Sequence, residues 1–411
     1  MNKIFLYYFS NAISFFPGLI FIFGGKYFLE DFEFTNFVKE KTIIVFFTSI
    51  LSMGLSQAVN YLRSYQINLK LIIFHIQIFH IISAFLLIIL LIFCKIYSEW
   101  FRFLSIVDCV NISLIIFFIL CNSEMLNTLR ITSIHIKFFQ LILLRVAVSI
   151  IIYVIYFDYL ISLLISETII FVFFYRNNFN NNIKKLSYET FLKILNKGLP
   201  FVLIISMMPS LLFLTKYNLG FIEKNPNILI NDFEIIFTIC NIFFFLSIGP
   251  LKTFLFPLMV RSEKTKKARS NFNENFLLFN ILSTYLVIKI FFFFSTYLFE
   301  FIEMDINLLA SSLDVNLIQL FTAIGVSHIF WISRLYEKGE IKKMTLPFII
   351  SIIVSVIISY IGVYLNSTTI IITACVLGVW IFFFLGIFFE NKNGIYKRIA
   401  LMVIMSLLVL Y

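Results

Sequence analysis

The feature that most constrains this chain is a succession of apolar stretches, each about twenty residues long, separated by short polar segments. The hydrocarbon core of a bilayer is about 30 Å thick and requires roughly 20 apolar residues per spanning helix. On that scale the sequence predicts about 12 transmembrane helices, near residues 4–24, 42–62, 71–93, 103–121, 138–156, 159–175, 199–221, 233–250, 276–298, 315–333, 345–365 and 368–389. Only 13% of the residues are charged, against about a quarter in soluble domains. The predicted fold class is therefore an all-α polytopic membrane protein.

The distribution of positive charge predicts the orientation of these helices. Lys and Arg accumulate in cytoplasmic loops. With the N-terminus in the cytoplasm, 23 of the 32 basic residues fall in cytoplasmic segments and seven in the opposite loops, while Arg145 and Lys289 lie within spans. The net charge of +10 is then explained by this asymmetry, and no nucleic-acid partner is predicted.

The chain divides into two related halves. A polar, Asn-rich segment, Arg176–Gly198, separates six predicted helices from six. The Leu-Ser-Met-Gly sequence at 51–54 recurs as Leu-Ser-Ile-Gly at 246–249, and Pro17 corresponds to Pro209. Two bundles related by a parallel pseudo-two-fold repeat are a transporter architecture. The predicted domains are an N-terminal bundle (1–175), a cytoplasmic polar linker (176–198), a C-terminal bundle (199–390) and a cytoplasmic tail (391–411) whose short apolar segment is 399–411.

The second predicted span carries a run of polar residues. At helical spacing these residues share one face, which continues to Arg63 at the cytoplasmic end. Asn241 in the eighth span repeats this pattern weakly. Small polar residues often serve only to pack helices together, but a Gln and an Asn on a continuous face favour the lining of a wet cavity. The residues of this face are Ser49, Ser52, Ser56, Gln57 and Asn60.

Ionisable residues at membrane depth are costly and are candidates for function. Arg145 and Glu167 are predicted at similar depth in spans joined by a tight turn at Asp158, so an ion pair between them is expected. This pair either holds the hairpin together, presents a basic group to an anionic substrate, or provides an acid that couples transport to protons. Lys289 either extends its charge to the outer surface or faces a cavity, and Lys216 is predicted to reach that surface.

Three local sequence patterns resemble those of a known transporter family. They are the stretch at 52–57 (Ser-Met-Gly-Leu-Ser-Gln), Gly198-Leu-Pro200 at the start of the seventh span, and Phe256-Pro257 before a basic loop. Together with the size and the six-plus-six plan, they make residues 1–390 resemble the polysaccharide repeat-unit flippases. These flippases belong to the multidrug/oligosaccharidyl-lipid/polysaccharide exporter superfamily. Members often carry an acidic residue late in the seventh helix, where this chain has Lys216.

The resemblance implies a substrate and a set of contacts. The substrate would be an undecaprenyl-pyrophosphate-linked oligosaccharide of O-antigen or capsule, used in lipopolysaccharide biosynthesis and moved across the bacterial inner membrane by alternating access. Ion coupling is left open, and a polysaccharide polymerase and a chain-length regulator are candidate partners. The basic residues expected to interact with the headgroup or to tune the cavity's potential are Arg63, Arg145, Lys252 and Lys289. The amides expected to bind sugar hydroxyls are Gln57, Asn60 and Asn241, and Glu167 is the candidate coupling residue.

Two alternatives differ in class from this interpretation. A membrane polysaccharide polymerase or lipid-linked sugar transferase would need a sizeable external loop, and the largest predicted one, Gly25–Lys41, is only about 17 residues long. A small-molecule exporter of the same superfamily would share the predicted fold. No nucleotide-binding, hydrolase or metal motif occurs, so the sequence predicts a non-enzyme without cofactor or metal. The five cysteines are interpreted as small buried hydrophobes.

Overall fold

The computed structural model describes residues 9–10, 13–14, 16–55, 69–131, 135–178, 188–223, 225–241, 284–290, 293, 313–325 and 341–390. This part of the chain is helical and contains no strand. It includes two short 3₁₀ turns, Glu99–Phe101 and Ile341–Met344. The helices are α1 (Phe16–Phe28), α2 (Asp31–Leu51), α3 (Leu69–Tyr97), α4 (Ile106–Ile131), α5 (His135–Tyr156), α6 (Tyr159–Asn178), α7 (Tyr188–Leu219), α8 (226–241), α9 (284–290), α10 (Leu313–Gly325), α11 (Thr345–Tyr364) and α12 (Thr368–Glu390).

Six of the described helices are long and apolar enough to cross a membrane. Their apolar stretches run over 19 to 22 residues, which matches the thickness of a hydrocarbon core. Shorter apolar helices are α1, the first part of α6, and α10. The six stretches are Ile76–Tyr97, Ile106–Leu126, Ile136–Tyr156, Gly198–Leu219, Thr345–Tyr364 and Thr368–Gly386.

The prediction of an external loop at Gly25–Lys41 is wrong. The helix α1 continues to Phe28 and α2 already begins at Asp31, so only two residues separate them. Asp31 and Glu33 lie in the first turn of α2, where carboxylates favour a helix N-terminus because of its partial positive charge. A span predicted from hydropathy stops at the first charged residues, whereas the helix itself continues through them.

The second predicted span is also wrong as a continuous helix over 42–62. The helix α2 ends at Leu51, and Met53 and Gly54 both adopt left-handed backbone conformations, with φ of 47° and 59°. The helical spacing of the predicted polar face is therefore interrupted after Ser49, and its later members Ser56, Gln57 and Asn60 lie outside the described residues. Ser49 and Ser52 instead donate to carbonyls of their own chain three residues earlier.

The two tight turns predicted from the sequence are confirmed. The α5–α6 pair is joined by Phe157 and Asp158, and the α11–α12 pair by the segment 365–367. Phe157 and Asn366 take left-handed conformations, which reverse the chain in few residues. The Asp158 side chain accepts a hydrogen bond from the backbone N–H of Ile161 at 2.9 Å and so caps α6.

The helix α7 begins eleven residues earlier than predicted, at Tyr188 instead of residue 199. It contains both Pro200 and Pro209. The chain packs as two compact units, and the boundary between them lies within α7 after Pro209. The first unit comprises residues 1–29 and 36–209, and the second comprises residues 30–35 and 210–411.

Candidate functional site

A buried polar cluster in the first unit joins three helices. Glu167 in α6 accepts hydrogen bonds on both carboxylate oxygens: Arg145 Nε in α5 lies 2.5 Å from Oε1, and Asn122 Nδ2 in α4 lies 2.7 Å from Oε2. Arg145 Nη2 also contacts Oε1, and Asn122 Nδ2 donates to the Glu167 carbonyl at 2.9 Å. The ion pair predicted between Arg145 and Glu167 is confirmed.

The two side chains of this ion pair differ in how much of their surface is exposed. The Glu167 side chain is fully buried, whereas 31% of the Arg145 side chain is exposed. Arg145 lines a cavity of about 170 Å³ within the first unit, and Glu167 is not among the lining residues. The cavity is lined by Ser14, Pro17, Gly18, Phe21, Phe37, Lys41, Ile142, Arg145, Val146, Ser149, Tyr159 and Leu163.

Aromatic side chains form one wall of this cavity. The Phe21 ring of α1 contacts the rings of Tyr153 in α5 and Tyr159 in α6, with centroids 4.6 Å and 5.5 Å apart. Phe37 of α2 packs edge-on against Tyr159 at 4.7 Å. These contacts hold α1, α2, α5 and α6 together around the cavity.

The charged side chains that line this cavity are cationic. Arg145 and Lys41 contribute cationic groups, and the described lining contains no carboxylate. Among the described residues the Arg145 side chain bonds only to Glu167, through Nε and Nη2, which leaves the Nη1 donors for a ligand. A guanidinium held in this way matches the geometry of phosphate or carboxylate oxygens. The arrangement can therefore recognise an anionic group.

Two contributors to this site were missed at the sequence level. Lys41 was assigned to a loop because the span was predicted to begin at residue 42, but α2 already includes it. Asn122 was not singled out, since it lies one residue beyond the predicted end of the fourth span, whereas α4 continues to Ile131. An amide so close to the end of an apolar run was the only available signal.

The second unit contains another buried ion pair. Lys216 in α7 contacts Glu234 in α8, and their side chains are only 4% and 2% exposed. Thr238 donates to Glu234 Oε1 at 3.3 Å. The prediction that Lys216 reaches the outer surface is therefore wrong, because a carboxylate from the next helix neutralises it inside the protein.

The remaining predicted site residues are not brought together in the described structure. Asn241 donates to the Phe237 carbonyl of its own helix at 3.1 Å. Lys289 Nζ lies 5.4 Å from the centre of the Tyr285 ring, one turn earlier in α9, an interaction typical of a cation over an aromatic face. Four of the predicted residues lie outside the described residues: Gln57, Asn60, Arg63 and Lys252.

Comparison with solved structures shows which fold this arrangement belongs to. A MATE transporter in complex with MaD5 matches 97% of this chain over 95% of its own, with a TM-score of 0.58 and 15% identity. The outward-facing conformation of a multidrug resistance MATE family transporter of the MOP superfamily matches 98% of this chain over 96% of its own, with a TM-score of 0.53 and 14% identity. The chain has the MATE transporter fold.

The predicted fold class is thereby confirmed as an all-helical, twelve-helix transporter architecture. No protein-family model matches the sequence, and no curated protein matches it significantly. The apolar helices and the transporter fold make the chain a multi-pass membrane protein.

Proposed function

We propose that this chain transports a substrate with an anionic group, and that the substrate is a polyprenyl-pyrophosphate-linked oligosaccharide repeat unit moved outward across the bacterial inner membrane. The observation that carries the proposal is the cationic cavity of the first unit, with Arg145 and Lys41 in its lining and no carboxylate among the described lining residues. A pyrophosphate needs such a basic, hydrated surface, while a polyprenyl tail is soluble in lipid.

The size of the cavity limits what it holds. At about 170 Å³ it is smaller than the roughly 300–1,000 Å³ of pockets that enclose drug-sized ligands. It therefore accommodates the charged group, while the sugars and the lipid tail lie elsewhere. The same volume also favours a second candidate, an exporter of small organic anions.

The orientation completes the proposal. The excess of Lys and Arg, 23 against seven, favours a cytoplasmic N-terminus. The substrate is then loaded from the cytoplasmic face, where lipid-linked repeat units are assembled. A polysaccharide polymerase and a chain-length regulator would act on the product at the outer face.

A deletion in the native host tests this proposal. Lipid-linked oligosaccharides are extracted, and each is assigned to a membrane face by its access to a glycosidase added from outside. Complete repeat units trapped on the cytoplasmic face support a flippase. The wild-type chain and Arg102→Ala should release them, whereas Arg145→Ala should not. Arg102 is a matched control because it is an exposed arginine, paired with Glu99 at the surface.

The other outcomes contradict the proposal. Repeat units that reach the outer face but stay unpolymerised would indicate a polymerase. Unchanged lipid-linked sugars would indicate the small-anion exporter, and that candidate is then measured as efflux of labelled organic anions from vesicles. If Arg145→Ala released the trapped repeat units as completely as the wild type, the cavity would have no role in transport.

A further inference from the structure

The helices α3 and α4 of the first unit form an antiparallel hairpin across the segment 98–105. Residues at equal distances from the two facing helix ends lie at the same depth, because an α-helix rises about 1.5 Å per residue. Cys94 lies three positions before the end of α3 at Tyr97, and Cys109 lies three positions after the start of α4 at Ile106. The two cysteines are therefore at the same depth, about one turn inside their helices.

Both cysteines continue the buried stripe of their helix, and α3 packs against α4. The buried positions that continue each stripe inward at helical spacing are Leu91 and Leu87 in α3, and Ile112 and Ile116 in α4. These residues pair at equal depth in the same way as the cysteines, 91 with 112 and 87 with 116. Cys94 and Cys109 form the next layer outward, and the two thiols lie within electrostatic range of each other.

We propose that Cys94 and Cys109 form a disulfide bond that joins the outer ends of α3 and α4. Both are free thiols in this structure. The inference rests on the orientation that belongs to the proposed function, because a cytoplasmic N-terminus puts the segment 98–105 on the outer face of the membrane. Disulfides form and persist in the bacterial periplasm, whereas thiols in the cytoplasm are kept reduced.

The bond forms by exchange with the disulfide of a periplasmic thiol–disulfide oxidoreductase. Cys94 reacts first, because it is partly exposed whereas Cys109 is fully buried. The Cys94 thiolate attacks one sulfur of the oxidant's disulfide, and the other sulfur leaves as a thiolate. The Cys109 thiolate then attacks the Cys94 sulfur of this mixed disulfide and displaces the oxidant's second thiolate. The two thiols lose two electrons and two protons, and the oxidant's disulfide becomes a dithiol.

The disulfide closes the segment 94–109 into a loop that contacts α2. The rings of Trp100 and Phe103 in this segment have their centres 5.8 Å and 5.3 Å from the Lys39 Nζ atom of α2. Lys39 lies two positions before Lys41, which lines the cavity of the first unit. A disulfide restricts the unfolded chain and so stabilises the folded loop. The bond therefore stabilises the packing of this loop on the part of α2 that leads to Lys41.

Differential labelling of the full-length protein in native membranes tests the disulfide. Free thiols are blocked with N-ethylmaleimide in SDS at the moment of lysis, disulfides are then reduced, and the released thiols are counted by the gel shift of a polyethylene-glycol maleimide. Two of the five cysteines should be labelled in the wild type, and none in Cys94→Ser or Cys109→Ser. Cys121→Ser removes another buried cysteine of α4, so this matched control should keep two. Mass spectrometry of the unreduced peptides identifies the bonded pair.

Five free thiols in the wild type, or a bond to any other cysteine, would overturn the proposal, and this result on the wild type decides it even if a variant does not fold. Oxidation of the purified chain by copper phenanthroline then identifies the premise that failed. A Cys94–Cys109 bond under this oxidant would make the orientation wrong, and its absence would make the facing of the two thiols wrong. The assay of lipid-linked oligosaccharides with Arg145→Ala tests transport separately, so a missing disulfide and a failed transport function give different results.

Discussion

Gly54→Ala is expected to destabilise the first unit strongly, because Gly54 lies where the end of α2 touches α7. A Cβ at this position would lie 2.3 Å from the Gly198 carbonyl oxygen and 2.6 Å from the Phe201 Cβ, closer than real atoms approach. The φ of +59° adds a cost of about 1–2 kcal/mol for a residue with a Cβ. Overpacking of a filled interior costs about 1–3 kcal/mol, so the expected loss is about 2–5 kcal/mol.

Two other glycines separate the two components of this cost. Gly198 is helical, and its added Cβ would lie 2.5 Å from the Met53 carbonyl oxygen, so Gly198→Ala suffers the overpacking without the left-handed strain. A Cβ on Gly18 meets nothing within 4 Å, and alanine is favoured over glycine within helices by about 1 kcal/mol. The expected order of stability is therefore Gly18→Ala at or above the wild type, then Gly198→Ala, then Gly54→Ala.

Unfolding by SDS in mixed micelles, followed by circular dichroism on the purified chain, measures this order. The same samples run on a sizing column confirm that each variant is monodisperse before titration. A Gly54→Ala midpoint equal to that of Gly18→Ala would refute the reasoning, because it would mean that the close backbone approach and the left-handed turn contribute nothing to stability.

Two further effects follow from buried and capping contacts. Removing one partner of a buried ion pair costs about 3–5 kcal/mol, so Glu234→Gln should markedly lower the SDS concentration at the unfolding midpoint. The double variant Lys216→Met with Glu234→Gln should recover most of this loss of stability, because neither charge is then left unpaired. Losses that simply add in the double variant would contradict the pairing. Ser105 and Asp108 cap α4 reciprocally, with backbone-to-side-chain bonds of 2.7 Å and 3.0 Å, so Asp108→Ala should cost about 1 kcal/mol. Adding Ser105→Ala should cost about 1 kcal/mol more, because the Ser105 hydroxyl accepts from the backbone N–H of residue 108, which Asp108→Ala keeps. A second loss close to zero in that unfolding measurement would contradict this independence.

Much of the fold could be predicted from hydropathy, but the ends of the helices could not. The turns at Asp158 and Asn366 were placed correctly because apolar runs of sufficient length stop on both sides of them. The segment 25–41 was misjudged because charged residues end an apolar run without ending a helix. Asp31 and Glu33 stabilise the start of α2 through the partial positive charge of the helix N-terminus, an effect that a hydropathy scale does not measure.

The candidate site was predicted only where the chain itself limits the geometry. The short turn between α5 and α6 fixes the relative depth of Arg145 and Glu167, so their pairing could be inferred from residue counts. The pairing of Lys216 with Glu234 depends on how α7 and α8 rotate about their axes, and Glu234 lies at the edge of a predicted span. The break after Leu51 is a backbone feature with no hydrophobic signature, so helical spacing was extended through a turn that ends it.

The two buried ion pairs have similar composition and different consequences. In the second unit, both side chains are sealed, at 4% and 2% exposure, so an anion has no access to Lys216 in this conformation and the pair's direct effect is to hold α7 to α8. In the first unit, only the acid is sealed, and the guanidinium is 31% exposed on a cavity. An ion pair whose cation is exposed on a cavity can exchange its own carboxylate for an external anion. An ion pair in which both side chains are buried cannot. The exposed fraction of Arg145, more than the number of basic residues in the chain, is therefore the observation on which the proposed anion recognition by the first unit rests.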